Sequence, residues 1–321
     1  MKRFFPVASL FILVVVACEK AELPKPLSGL SSTNTVQVNM GSDYSNQLFL
    51  ELATASIVSQ NNREIWDLGF ENGINGRHII LNSSKFMAMS KTNSEDLATV
   101  SSQTAVTWLY DNQSGKKDSS SFYNWELNKV YIIDKGISVT GQQLGKIKMQ
   151  IIAFTETSYT IRWGATLNAT LIETTTINKS TMYNFTFFSF LSGETVVIEP
   201  EKDSWDLCFT SYTNNFSDGT PYLVTGVLSN RNLTRVAESL LPFEAVDFTY
   251  ASTLNYSTDI DIIGYDWKTF DFDQSLYIIQ FDKVYIIQSV QGLYYKLRFL
   301  DFYDDLGTKG APTFELYAII P

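Results

Sequence analysis

Along Lys146-Ile147-Lys148-Met149-Gln150-Ile151 polar and apolar residues alternate strictly. This places Ile147, Met149 and Ile151 on one face of a strand and the two lysines on the other. The pattern returns in Lys296-Leu297-Arg298-Phe299, and Leu300 then breaks the phase as a bulge does. Residues 130–133 and 276–287 are β-branched and aromatic, and the polar break at 280–283 predicts a hairpin. Helical signal is sparse. Thr92-Asn93-Ser94-Glu95 reads as a capping box before residues 96–100, and 234–241 reads as a short helix stopped by Pro242. The expected fold class is all-β: mostly antiparallel, sandwich-like, with short helical insertions.

The same elements occur twice. Arg63-Glu64-Ile65-Trp66-Asp67-Leu68-Gly69-Phe70 matches Lys202-Asp203-Ser204-Trp205-Asp206-Leu207-Cys208-Phe209, with the two tryptophans 139 residues apart. Residues 44–52 match 183–191 at that same spacing. Tyr123-Asn124-Trp125 matches Tyr265-Asp266-Trp267, Lys129-Val130-Tyr131 matches Lys283-Val284-Tyr285, and 148–154 matches 296–302. Five matches in one order indicate a tandem duplication with its boundary near Ala169. A period this long means two whole domains, 33–169 and 170–321, and not a solenoid of small repeats.

The 321 residues suit two domains, and 45% hydrophobic residues provide for packed cores. At a net charge of −10 and without a basic stripe, the chain is a poor match for nucleic acid. The opening is different in kind. Lys2 and Arg3 precede an apolar run over 4–16, too short to span a bilayer but suited to a signal peptide. That run ends Val15-Val16-Ala17-Cys18, which resembles a bacterial lipobox. Residues 1–18 are therefore expected to be a lipoprotein signal ending at a lipidated Cys18, and 19–32, with Pro24 and Pro26, a tether. Cys208 is the one other cysteine, so the fold cannot depend on an intramolecular disulfide.

The second copy carries a further pattern. Ser180-Thr181-Met182-Tyr183 leads into 185–193 and Trp205-Asp206-Leu207. It closes with Tyr295-Lys296-Leu297-Arg298-Phe299, Phe302-Tyr303, Gly307, Lys309-Gly310 and Pro312-Thr313-Phe314-Glu315. This order resembles the HmuY-like haem-binding lipoproteins of Bacteroidetes, well over 171–321 and more weakly over 33–169. The resemblance implies an all-β domain that holds haem between projecting loops. It also implies an outer-membrane lipoprotein, facing the periplasm or the cell surface, that passes haem to a TonB-dependent receptor for iron acquisition.

Haem iron takes axial His, Met, Cys thiolate or Tyr. The paired histidines of the family's best-known form are not available, because His78 is the only histidine. The axial candidates are His78, Met87 and Met89, which follow the Trp66 strand where the family's ligand-bearing segment begins. Each has a plainer reading, the methionines as strand packing and the histidine as a hydrogen-bonded or surface residue. The second copy offers only tyrosines between 212 and 222. Asp67 and Asp206 read as hydrogen-bonding groups of the fold, and no nucleophile motif or zinc cluster points to an enzyme. Two functions remain in play: capture of haem or porphyrin, or a surface module binding a glycan or protein through exposed aromatics.

Overall fold

The computed structural model describes residues 35–101 and 107–321. The signal, Cys18 and the tether lie outside the described residues. Strands β1 (Thr35–Gln37), β2 (Asn46–Glu51), β3 (Ser56–Asn62), β4 (Leu68–Glu71), β5 (Ile79–Leu81), β6 (Ala88–Lys91), β7 (Val130–Asp134), β8 (Lys146–Phe154) and β9 (Ser158–Gly164) belong to the first sequence copy. The second copy opens with β10 (Glu173–Asn178), β11 (Phe185–Ser189) and β12 (Glu194–Val196). It continues through β13 (Leu207–Asn215), β14 (Pro221–Ser229), β15 (Arg235–Glu238), β16 (Lys268–Asp271) and β17 (Leu276–Ile279). It ends with β18 (Tyr285–Gln288), β19 (Tyr294–Tyr303) and β20 (Lys309–Ile319). The pairings of neighbouring strands are antiparallel, and the only α-helical turn among the described residues is Phe248–Ala251.

The sheets do not follow the sequence repeat. β10-β9-β8-β7-β6 forms one sheet and β12-β11-β4-β5 the sheet that covers it, so the first body, module A, is β4 to β12. β1-β20-β19-β18-β15 and β14-β13-β2-β3 form module B. The opening strands of each copy are thus exchanged: β1 to β3 complete the second copy, and β10 to β12 complete the first. The expected division at Ala169 falls between β9 and β10, while the packed bodies divide near residues 63–67 and 197–206. Module A is continuous in the chain and module B is not. Their cores follow the same division. One holds residues between Leu68 and Phe190, the other Val38 to Leu52 together with Leu207 to Leu316.

The repeated Trp-Asp motif holds the exchanged strands. Asp206 is 0% exposed and accepts from the Leu52 amide at 2.9 Å, a residue of the first copy. Asp67 is 3% exposed and accepts from the Phe190 amide at 2.6 Å, a residue of the second copy. Each aspartate is then locked by an asparagine. Asn82 donates from Nδ2 to the carbonyls of Arg63 and Trp66, and Asn230 does so to those of Lys202 and Trp205. The two corners differ in charge balance. Lys85 lies 2.5 Å from Asp67 in a buried ion pair, whereas Asp206 instead takes the Thr234 hydroxyl and the Val290 amide. At the far end of the exchange, the Met40 amide donates to Gly310 at 2.8 Å. Gly310, at φ +91°, has no room for a side chain, since a Cβ would lie 2.3 Å from the Gly41 oxygen.

The two four-stranded sheets meet back to back. Leu207 and Phe209 of β13 enter the core of module B while Cys208 between them faces the joint. In β11, Phe188 enters the core of module A while Phe185 and Phe187 face the joint. Strands buried on both faces read as nearly continuous apolar runs, which explains Phe185-Thr186-Phe187-Phe188. The layer order is five-stranded, four-stranded, four-stranded, five-stranded.

Several local expectations hold. Ile147, Met149 and Ile151 share the core of module A, and the register shift between Phe299 and Asp301 is the bulge at Leu300. Others are corrected. Lys148 does lie opposite those residues but is 2% exposed, under the short 3-10 turn Leu97–Thr99 that replaces the expected helix. Residues 234–241 are mainly strand, because Val236 pairs with Ile287 in the five-stranded sheet. The run 276–287 is no hairpin: β17 pairs with β16, and β18 lies between β15 and β19. The sequence match of 44–52 to 183–191 is also one residue out of step. Leu50 faces Leu207 where Phe188 faces Leu68.

Two outcomes are expected. Deleting residues 35–62 removes β1 to β3 from module B and no strand from module A. Slow amide exchange should then persist in β4 to β12 and vanish in β13 to β20, and uniform loss would refute separate cohesion of the two bodies. Asp206→Ala strands two buried amides, at a cost of about 3 kcal/mol. Asp67→Ala also strands Lys85 and should cost about 3–5 kcal/mol. Urea unfolding measures that order.

Candidate functional site

The exchange creates a cleft between the modules. It encloses about 490 Å³ and is walled by β11 and by loops of both bodies, with Phe185, Tyr183 and Ile260 as its apolar and aromatic surface. Arg231, Lys116, Lys117 and Lys202 supply cations, and Glu71 the facing carboxylate. Lys117 pairs with Glu71, and Lys116 with Asp259 at 2.9 Å. Glu71 also accepts the backbone amides of Arg77 and His78, at 2.8 and 2.9 Å, which fixes the turn that carries the imidazole.

His78 lines this cleft and is 7% exposed. Burial, with the Arg231 charge added, pushes its pKa down to about 3, so the imidazole is neutral at physiological pH. Its Nε2 is buried without a hydrogen-bond partner, and its ring meets the Phe185 edge at 5.8 Å. A neutral imidazole with an unpaired nitrogen is the chemistry of a metal ligand. Nε2 is shielded as it stands, so ligation requires the ring to turn about its broad terminal torsion.

Met87 and Met89 are placed differently. At 1% and 2% exposure both are packed in the core of module A, and the β6 register sets Met89 against Ile133. Neither reaches the cleft, because the side-chain direction that covers the core at these positions turns both thioethers inward. Of the three axial candidates, His78 alone adjoins the cleft. Tyr183 is the other residue of an axial-ligand type on its wall.

Three charged residues near the cleft escaped the sequence reading, Glu199 buried and Arg231 and Asp111 half-buried. Arg231 donates to the Gly115 carbonyl at 2.5 Å. Asp111 accepts from Leu81 and Ser121, and burial raises its pKa. Glu199 is 5% exposed, accepts the Phe185 amide at 2.7 Å, and is pushed up to about 7 by burial. Only their position within the repeat could have found them: Arg231 follows Asn230 as Ser83 follows Asn82.

A second cleft, of about 600 Å³, lies in module B between the β13–β14 tip and the β16–β17 hairpin. Tyr44, Phe216, Tyr222, Tyr265, Phe270 and Tyr277 line it, and Tyr222 is 58% exposed. Lys268 at its base is buried and donates to the Thr225 carbonyl at 2.6 Å. Its ammonium lies 4.2 Å from the Trp267 ring, and burial pulls its pKa down to about 7.

His78 and Glu199 set opposing pH limbs. The unfolded imidazole protonates below its ordinary 6.5 and the folded one only near 3, so its contribution is lost as pH falls through that window. The unfolded Glu199 carboxyl ionises near 4.5 and the folded one near 7, so its contribution is lost as pH rises between them. His78→Gln should remove about 3 kcal/mol of the loss between pH 6.5 and about 4. Glu199→Gln should remove a similar amount of the loss between about pH 4 and 7. Urea midpoints across that range give both slopes, and parallel profiles for wild type and variants would contradict the assignment.

The sequence matches the HmuY protein family over residues 43–183 and again over 181–316. No curated protein sequence matches. Among solved structures, the apo HmuY analog of Tannerella forsythia aligns at 9% identity over 90% of this chain and 96% of its own, with a TM-score of 0.27. Apo PinO of Porphyromonas gingivitis aligns at 9% identity over 90% and 98%, with a TM-score of 0.26. A Bacteroides vulgatus protein described as HmuY-like and heme-binding aligns at 11% identity over 88% and 90%, with a TM-score of 0.24. Matched twice, across most of its length, this chain belongs to the HmuY protein family.

Proposed function

We propose that this protein captures haem or porphyrin at the outer membrane, as a non-enzymatic lipoprotein anchored through Cys18, for iron acquisition. Membership of the HmuY family supports the class of ligand. The observation that carries the site is the neutral, unpartnered His78 on the wall of the inter-module cleft. His78 would hold the iron, and Lys202 and Arg231 would face the propionates. Bound haem supplies iron as cargo, and the protein's part is to hold it and shield it from water. Delivery to a TonB-dependent receptor follows from the family resemblance.

A second reading rests on the aromatic cleft of module B. Tyr222, Phe270 and Phe272 are 58%, 37% and 85% exposed, a stacking surface suited to the apolar faces of a sugar. In that reading the chain is a surface module for a glycan.

Haem titration of the protein lacking residues 1–18, followed by absorbance in both oxidation states, separates the two. The expected result is a saturable Soret shift lost in His78→Ala and kept in Tyr222→Ala. A shift kept in His78→Ala and lost in Tyr222→Ala would move the porphyrin to module B. A flat titration would remove haem and leave the glycan reading.

A further inference from the structure

The joint itself encloses a chamber of about 110 Å³, walled by Trp66 and Trp205 and by Phe49 and Phe187. It sets Asp111 and Glu199 beside its one cation, Arg231, and leaves the Gln47 Oε1 unpaired. The charge balance is different at the edge of module B. There a cleft of about 640 Å³ opens between β13, β15 and residues 254–266. Residues 257–264 cross it as a strap, from a bridge between Ser257 and Val236 of β15 to one between Gly264 and Val227 of β14. Val236, Leu254 and Ile262 form its apolar wall, and Tyr265 adds a ring. Glu238, Asp261 and Asp266 also line it, and none of its lining residues is a cation.

Two of the three carboxylates share a counter-ion, since Lys283 lies 2.6 Å from Asp266 and 3.7 Å from Glu238. Asp261 has no ion pair and accepts no hydrogen bond from another described residue. Lys116, the cation whose charge reaches it, is committed to Asp259 at 2.9 Å. Burial raises the Asp261 pKa, and the like charges of Asp259 and Asp266 add to that. Two buried polar groups face the same space. Tyr212 and Asn214, two residues apart on one face of β13, are 2% and 8% exposed and line the cleft. Neither side chain is hydrogen-bonded to another described residue, which is uncommon for groups so deeply buried. Tyr212 and Asp261 meet at Gly264, where a Cβ would lie 3.3 Å from the phenol oxygen and 2.7 Å from the Asp261 carbonyl oxygen. An unpaired carboxylate beside an unpaired hydroxyl suits a donor that carries positive charge. A metal is a poor match, because no three groups of metal-ligating type converge among the described residues. An ammonium group supplies both charge and donors, and the apolar wall suits a compact uncharged body.

We infer that the cleft under the 257–264 strap binds an organic amine with a compact apolar body, its ammonium held by the Asp261 carboxylate and the Tyr212 hydroxyl. The site shares no lining residue with the His78 cleft and rests on neither the haem nor the glycan reading.

Phenethylamine is the probe, with phenethyl alcohol (the ring without the charge) and methylammonium (the charge without the ring) as controls. Calorimetry and thermal shift of the protein lacking residues 1–18 are followed together. Phenethylamine should give a saturable response with half-saturation on the order of 0.1–1 mM, as expected for so small a ligand. Both controls should bind at least tenfold more weakly. Asp261→Asn keeps the shape of the side chain and removes its charge. It should weaken phenethylamine at least tenfold while leaving phenethyl alcohol unchanged. Tyr212→Phe, which breaks no hydrogen bond of the fold, should weaken phenethylamine several-fold. Lys283→Gln frees Glu238 and Asp266 and should instead tighten binding, a gain that damage to the fold does not produce. A flat response to phenethylamine, an equal response to phenethyl alcohol, or full binding in Asp261→Asn would overturn the assignment.

Discussion

The structure depends on two buried carboxylates that bind strands from the other sequence copy. Asp206 holds Leu52 and Asp67 holds Phe190, each through a backbone amide and each with its carboxylate buried. An acceptor in such a place fixes more than one hydrogen bond, because the amide it satisfies sets which strand may lie alongside. Once β2 lies against β13 and β11 against β4, the two four-stranded sheets must face each other. The joint, its chamber and the cleft with His78 all follow from that packing. Bonds of this kind add little net stability when made and cost much when broken. The corners therefore act as selectors of topology more than as sources of stability.

Strand content and repetition were legible in the sequence because both are local. Alternation at 146–151 and the phase break at Leu300 report neighbours two residues apart, and the Trp-Asp motif reports itself. The exchange was not legible, for a physical reason. β11 is equivalent to β2, and β4 to β13, so either pairing satisfies the same ladder and the same aspartate. The choice lies in connections of a few residues and in how two apolar sheet faces meet, and neither leaves a periodic signal. Residues 234–241 misled in a related way. Val236 sits among residues of good helix propensity, and its pairing with Ile287 overrides that preference.

The candidate site was half legible. His78 was identified by being the only histidine, and it does adjoin a cavity. Met87 and Met89 share its segment, but residue type and order cannot tell an inward thioether from one that faces a cleft, and these two face inward. Arg231, Glu199 and Asp111 gave no signal, since a charged residue reads as solvent-exposed until the layers that bury it are known.

Divergence between the copies gives the joint its chemistry. A symmetric pair of domains meeting through equivalent faces would present matched walls, and Trp66 with Trp205 and Phe49 with Phe187 still do so. At other positions the match is broken. The register puts Arg231 where the first copy has Ser83, and Phe185 opposite the place of Gln47. Each substitution would be a flaw in a purely structural interface, since it half-buries a cation or leaves an amide oxygen unpaired. Together they put a cation and an open acceptor on the wall of a cavity that Asp111 and Glu199 also line. Duplication supplies the enclosing walls at no cost in new fold, and the loss of symmetry within them is what gives the space its charged groups.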